Sequence, residues 1–163
     1  MEVDWDHWKP QIRANLTFVR KGDRVLLIRK KTGFGKGKIN GPGGKLEEGE
    51  TILESAHREM REELHIDPID PQPRGVLRFQ FTDGLSMHVV VFLAHDFKGE
   101  PTETVEAAPL WFPVDAIPFA EMWEDDQHWL PQLLGGQTFD SWWVFEGEKM
   151  LSKRIEFGLP RPR

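Results

Sequence analysis

Two apolar runs open the chain's readable pattern. From Asn15 to Arg20 and from Arg24 to Lys30 the sequence is rich in Val, Leu, Ile and Phe, and Lys21-Gly22-Asp23 between them predicts a turn, hence a hairpin. Gly33 to Gly44 then carries six glycines and one proline in twelve residues, a loop that must bend sharply or bring backbone close to something. From Ile52 to Leu64 the period changes: Ile52, Leu53, Ala56, Met60 and Leu64 fall on one face at helical spacing. Thr51 with Glu54 three residues on is a capping-box signature, and Asp67-Pro68 predicts a stop. Arg74–Thr82 and Met87–Phe97 read as strands joined at Asp83-Gly84, and Leu110–Val114 as a short strand. Asp125–Leu134 reads as a second helix disturbed by Pro131 and closed by Gly135-Gly136. Phe139–Phe145 and Met150–Phe157 predict a closing hairpin. Strands outnumber helices, so the expected class is α+β with a mixed sheet.

Composition narrows the function classes. At 163 residues one domain is expected, spanning 14–158, with residues 1–13 as an N-terminal extension and 159–163 as a frayed tail. Trp5 and Trp8 in that extension are expected to pack against something. Twenty-one Lys plus Arg against 27 Asp plus Glu leave a net charge of −6, which argues against a polymeric nucleic-acid partner. It leaves room for a single nucleotide bridged to acidic side chains by a metal. Cysteine is absent, so disulfides, thiolate metal sites and cysteine nucleophiles are excluded. No apolar run approaches the roughly 20 residues of a membrane span, and the acidic start resembles no secretory signal. A cytoplasmic monomer acting on a small molecule is the expectation.

The chemistry concentrates on the first helix. Glu59, Glu62 and Glu63 stand at i, i+3 and i+4 and share one face. From Glu50 to Glu63 five Glu outnumber two Arg. By itself this is compatible with a solvated charged face. The preceding Gly41-Pro42-Gly43-Gly44-Lys45 changes the reading, because clustered carboxylates beside a glycine loop suit a hard divalent cation and a diphosphate.

Gly44, five residues, Glu50, seven residues, then Arg58-Glu59-Met60-Arg61-Glu62-Glu63-Leu64-His65-Ile66 resembles the Nudix hydrolase signature, G-x5-E-x7-R-E-U-x-E-E-x-G-U. One position departs: His65 stands where the family has glycine. Because that glycine serves a left-handed helix end, which His tolerates better than most residues, a small structural cost is expected. The resemblance implies a mixed sheet sandwiched between helices. It implies Glu59, Glu62 and Glu63 as metal ligands for Mg²⁺, with Mn²⁺ as the alternative, and the Gly43 carbonyl nearby. It further implies Arg58 orienting the glutamates, Glu50 bracing the loop–helix junction, and one carboxylate outside the box that joins the metal or acts as base. Glu106 is the candidate for that last role and Glu103 the reserve.

Gly33 to Asn40, Trp111-Phe112, Phe119 to Asp126 and the closing hairpin resemble, within that family, the oxidised-purine nucleoside triphosphate hydrolases. Glu124 departs from the proline usual there. On this resemblance Trp123 stacks a base, Asp125 and Asp126 read its edge with one holding a proton, and Asn40 contacts an exocyclic group. Asn15, Phe34, Phe79, Met87 and Trp129 line the walls and Lys30 lies at the mouth. Plainer readings stay open: Asp125-Asp126 as a helix N-terminal signal, Trp123, Trp129, Phe79 and Met87 as core, and Asn40 as a turn residue. His57 and His88 match no metal spacing and read as structural.

The expected activity is metal-dependent conversion of modified purine triphosphates, such as 8-oxo-dGTP, to monophosphate and pyrophosphate. Alternatives are a Nudix hydrolase of ADP-ribose, dinucleoside polyphosphates or capped RNA, or a non-catalytic nucleotide-binding regulator. Gly33 to Lys38 is not a Walker loop, since Ile39 succeeds Lys38 where Ser or Thr is needed.

Overall fold

A computed structural model describes residues 1–158. Strand β1 (Ile12–Lys21) forms the expected hairpin with β2 (Arg24–Lys30). The glycine-rich stretch contains two short strands where only loop is expected, β3 (Ile39–Asn40) and β4 (Gly43–Lys45). Helix α1 (Ile52–Leu64) has the predicted bounds. After it come β5 (Ile66–Ile69), β6 (Gln72–Phe81), β7 (Ser86–Ala94), β8 (Asp96–Gly99) and β9 (Ala107–Pro113). A short 3-10 turn at Phe119–Glu121 leads to α2 (Asp126–Leu134), and β10 (Phe139–Glu146) and β11 (Lys149–Phe157) close the fold.

The main sheet runs β11-β10-β6-β7-β1-β2-β3, with β4 also on β1 and β9 also on β2. The pairs β1–β7 and β6–β10 are parallel and the others antiparallel. One edge of β1 is thus shared: Ala14–Leu16 face Gly43–Lys45 of β4, while Val19–Lys21 face Arg24–Leu26 of β2. Alternation along the strands loads both faces. On one, Phe18, Val89, Val91 and Leu93 pack with Trp129, Leu130 and Leu133 of α2. On the other, Val19 and Ala94 pack with Met60 and Leu64, and Val90 and Phe92 with Ala56, all on α1. The sheet therefore lies between the two helices, an α+β sandwich of the expected class.

Two elements depart from the sequence pattern for local reasons. The predicted strand 87–97 breaks after Ala94, and its end pairs as β8 with β5 in a separate two-stranded ribbon. Pro68 lies within β5, which a two-stranded edge tolerates. Before the main domain, Trp8 donates through Nε1 to Gln80 Oε1 at 2.9 Å and its ring lies 5.2 Å from that of Trp5. β1 itself begins at Ile12, opposite Met87 of β7. The tail 159–163 lies outside the described residues. Among the described residues no helix is long and apolar enough to cross a membrane.

The ends of α1 are both specified. Thr51 Oγ1 accepts from the Glu54 N–H at 3.1 Å, and Glu54 Oε1 accepts from the Thr51 N–H at 2.9 Å. At the other end His65 adopts φ 59° and ψ 33°, the left-handed conformation its place in the signature predicts, with its N–H on the Arg61 carbonyl. Replacing Thr51 with Ala should therefore cost about 1 kcal/mol, and Thr51→Ser much less, measured by urea unfolding. Equal losses for the two would assign the effect to something other than the cap.

Candidate active site

Gly43 and Gly44 hold the site together. They line a cavity of about 350 Å³ on one side and touch the α1 carboxylates on the other. Neither position has space for a side chain. A Cβ on Gly43 would sit 2.0 Å from the Asn15 carbonyl oxygen, and one on Gly44 2.5 Å from Glu59 Oε1. The Gly43 N–H donates to Glu63 Oε1 at 2.8 Å. Asn15, buried beneath this loop, donates from Nδ2 to the Gly44 carbonyl at 3.3 Å and to Ser55 Oγ at 3.0 Å.

Arg58 organises the carboxylates. Its Nε and Nη2 grip Glu50 at 2.7 and 3.0 Å, a bidentate pair, and Nη2 also reaches the Lys45 carbonyl at 3.0 Å. Its Nη1 donates to Glu59 at 2.8 Å and Glu62 at 3.2 Å. The Arg58 pairing holds Glu50 below the usual carboxylate range. Glu59 is raised by burial, opposed by Arg58, with Glu62 and Glu106 adding repulsion. Glu63 is 3% exposed. Burial above all, then the charges of Glu59 and Glu106, push it up to about 8, against the Gly43 N–H and Lys30.

The cavity runs from Gly43 and Gly44 over the α2 face of the sheet. Its walls include Ile12, Leu77, Phe79, Phe81, Met87, Phe145 and Trp123, and its polar residues are Asn15, Lys30, Asn40, Lys45, Asp125 and Asp126. Phe34 lies nearly parallel to Trp123, rings 5.0 Å apart at 12°, while the Lys38 ammonium sits 5.2 Å from the same ring. Asp125 and Asp126 are both buried. Asp125 Oδ2 accepts from Trp129 Nε1 at 2.9 Å, and it makes no capping bond to α2. Asp126 Oδ2 has no partner among the described residues. Burial raises both acids. Asp126 goes well above the ordinary range because the Asp125 charge adds to desolvation, and the two share a side-chain hydrogen bond.

A family model for the NUDIX domain matches residues 9–133. The chain belongs to the Nudix family. It is 41% identical over 137 residues to the oxidized purine nucleoside triphosphate hydrolase of Danio rerio, covering 83% of this chain and 88% of that one. It is 42% identical over 134 residues to the protein of the same name in Mus musculus, covering 82% and 86%. The crystal structure of a MutT protein from Bacillus halodurans superposes with a TM-score of 0.79 at 27% identity, over 89% of this chain and 97% of that one.

The Nudix box is thus one contiguous constellation. Glu50, Arg58, Glu59 and Glu62 form a single ion-pair network, with Glu63 tied to the loop. Glu106 lies near enough to act on the charge of both Glu59 and Glu63. Glu103 instead pairs with Lys31 in the open. Among the described residues no three acidic or histidine side chains converge as a ready metal cage, because Glu59 and Glu62 are drawn onto Arg58. The donors themselves suit a hard divalent cation: all are carboxylate oxygens, and the buried Glu63 is short of positive charge.

Of the residues expected in the substrate pocket, Asn15, Lys30, Phe34, Asn40, Phe79, Met87, Trp123, Asp125 and Asp126 line the cavity. Trp129 is the correction. It is fully buried, edge-on to Phe18 at 5.7 Å and stacked on Phe139 at 5.4 Å, so it lies behind Asp125 and holds it. Asn40 both lines the cavity and takes the turn role, its Oδ1 accepting from the Gly41 N–H at 2.8 Å. Ser55 escapes the sequence reading, and Lys38 enters it without a role at the site. Ser55 had one available signal, a hydroxyl beside Ala56 on the side of α1 that packs inward.

The raised acids set a sign for pH. Folding holds protons on the Asp125–Asp126 pair that the unfolded chain releases near pH 4, so this contribution is complete below that pH and fades as pH rises through the folded-state values. Asp126→Asn, which keeps a neutral group there, should flatten the fall in stability above pH 4. Urea unfolding between pH 4 and 8 measures it; parallel curves for wild type and variant would refute the shared proton.

Proposed function

We propose that this Nudix hydrolase cleaves modified purine nucleoside triphosphates, of the 8-oxo-dGTP and 2-hydroxy-dATP type, to the monophosphate and pyrophosphate, and so clears the cytoplasmic nucleotide pool. The observation that carries the reading is the buried Asp125–Asp126 pair facing a flat aromatic wall in the same cavity that Gly43 and Gly44 share with the Nudix box. The identity to relatives named for oxidized purine nucleoside triphosphates supports it.

The chain's own groups divide the work. Trp123 offers a stacking surface for a purine. Asp126, protonated, donates to Asp125 and leaves its other oxygen to accept from the base; an exchange of that proton would present the opposite pattern to a differently oxidised ring. Asn40 supplies a further polar contact, and Lys30 attracts the phosphates. Nudix hydrolases generally use divalent metal ions. Glu59, Glu62 and Glu63, with Glu106 and the Gly43 carbonyl beside them, would hold Mg²⁺ or Mn²⁺, which when bound offsets phosphate charge and acidifies nearby water. Arg58 and Glu50 fix the carboxylates in place. Glu106 takes the proton of the attacking water.

Steady-state assays with dGTP, 8-oxo-dGTP, 2-hydroxy-dATP and ADP-ribose, with products resolved, test this directly. Modified purines should be preferred, with pyrophosphate released; activity confined to ADP-ribose would discard the purine pocket. Glu63→Gln should lower kcat by about 10²-fold or more with the fold retained by circular dichroism. Asp126→Ala should lower kcat/KM for the modified purine by about 10-fold, the upper end of the roughly 0.5–1.5 kcal/mol that a neutral hydrogen bond is worth.

A further inference from the structure

The loop that carries Glu106 hangs from the C-terminal end of α1. The last carbonyls of a helix have no partner within it. Here two are taken by this loop: the Thr102 N–H donates to the Leu64 carbonyl at 2.9 Å, and the Thr104 hydroxyl donates to the Glu63 carbonyl at 2.8 Å. The same Thr104 oxygen accepts from the Glu106 N–H at 3.2 Å. A single hydroxyl thus stands between the backbone of Glu63 and the backbone of Glu106. On its other side the loop is fastened just past the end of β2, with the Lys31 N–H on the Glu106 carbonyl at 2.9 Å and Lys31 Nζ on the Thr104 carbonyl at 2.9 Å.

The Thr102 and Lys31 bonds attach the loop without help from the Thr104 side chain, so the hydroxyl is not needed to keep the segment in place. What it adds is register between two carboxylate-bearing residues from distant parts of the chain. We propose that Thr104 is a positioning residue, its hydroxyl setting the Glu106 carboxylate relative to Glu63 and the reacting water. This rests on Glu106 being the group that takes the proton of that water. A hydroxyl suits the task because it donates to one backbone and accepts from the other at the same atom, which neither an amide nor a carboxylate side chain does at this length.

The test is a cycle of Thr104→Val, Glu106→Gln and the double variant, with Thr104→Ser as the rescue. Thr104→Val should lower kcat by about 10-fold with KM within twofold, and Thr104→Ser should restore it. In the Glu106→Gln background, Thr104→Val should change nothing further. Without any metal, amide exchange followed by NMR should be about tenfold faster at the Glu106 N–H in Thr104→Val and normal in Thr104→Ser. Full activity of Glu106→Gln would overturn the Glu106 assignment and this inference with it. A crippled Glu106→Gln beside a wild-type-like Thr104→Val would overturn the inference alone. So would losses that multiply in the double variant, or a serine that fails to rescue. Should Thr104→Val prove unfolded, Thr104→Ala replaces it in the same cycle.

Discussion

The close approach of Gly43 and Gly44 to both β1 and α1 is the constraint on which the rest of this site depends. β1 supplies a carbonyl that lies 2.0 Å from where a Gly43 side chain would begin, and α1 supplies a carboxylate 2.5 Å from the equivalent point on Gly44. At these two positions backbone alone separates the cavity from the acidic cluster. That thinness lets one loop serve both: its amide on Glu63, its carbonyl on Asn15, and its two residues in the cavity wall. Any bulk here would move the carboxylates away from whatever the cavity binds.

Around that contact, charge is managed by a single guanidinium. Arg58 touches Glu50, Glu59, Glu62 and the Lys45 carbonyl, which fastens the helix to the loop in front of it. Glu63 is outside its reach and buried, and its proton affinity climbs accordingly. The cluster is thus graded, from a well-compensated Glu50 to an under-compensated Glu63 that is bonded to Gly43 of the cavity wall. A second graded pair, Asp125 and Asp126, faces it from α2, one acid satisfied by Trp129 and the other left with an unpaired oxygen.

Much of this was legible in the sequence because it is local. The box residues sit within one helix and the loop before it, so spacing alone brings Arg58, Glu59 and Glu62 together, and the αL ending at His65 is dictated by its place in the signature. The helix and most strands announce themselves by period. The strands β3, β4, β5 and β8 do not, since two to four residues carry too little periodicity and Pro68 reads as a break. The site's long-range bonds are equally silent: Asn15 to Ser55 and Thr104 to Glu63 join residues 40 or more apart. Trp129 shows the converse error. A tryptophan near the paired acids Asp125 and Asp126 suggests a wall, but its position one helical turn after Asp125 places the ring in the core beneath that acid and its N–H on the carboxylate.

The parallel contact of Phe34 with Trp123 carries a consequence for selectivity. Phe34 is half exposed, lines the cavity and is flanked by Gly33 and Gly35 with φ of 74° and 80°. To any ring that stacked on the same indole face it would be a tethered competitor, held at the high effective concentration that a short link confers. A ring entering to stack on that face must first exchange with the phenyl group. What the free ligand gains is then the difference between two stacking contacts, not the whole of one. Poorly stacking rings lose most under such an exchange, so on the proposed reading the Phe34–Trp123 contact would favour broad, polarisable bicyclic rings.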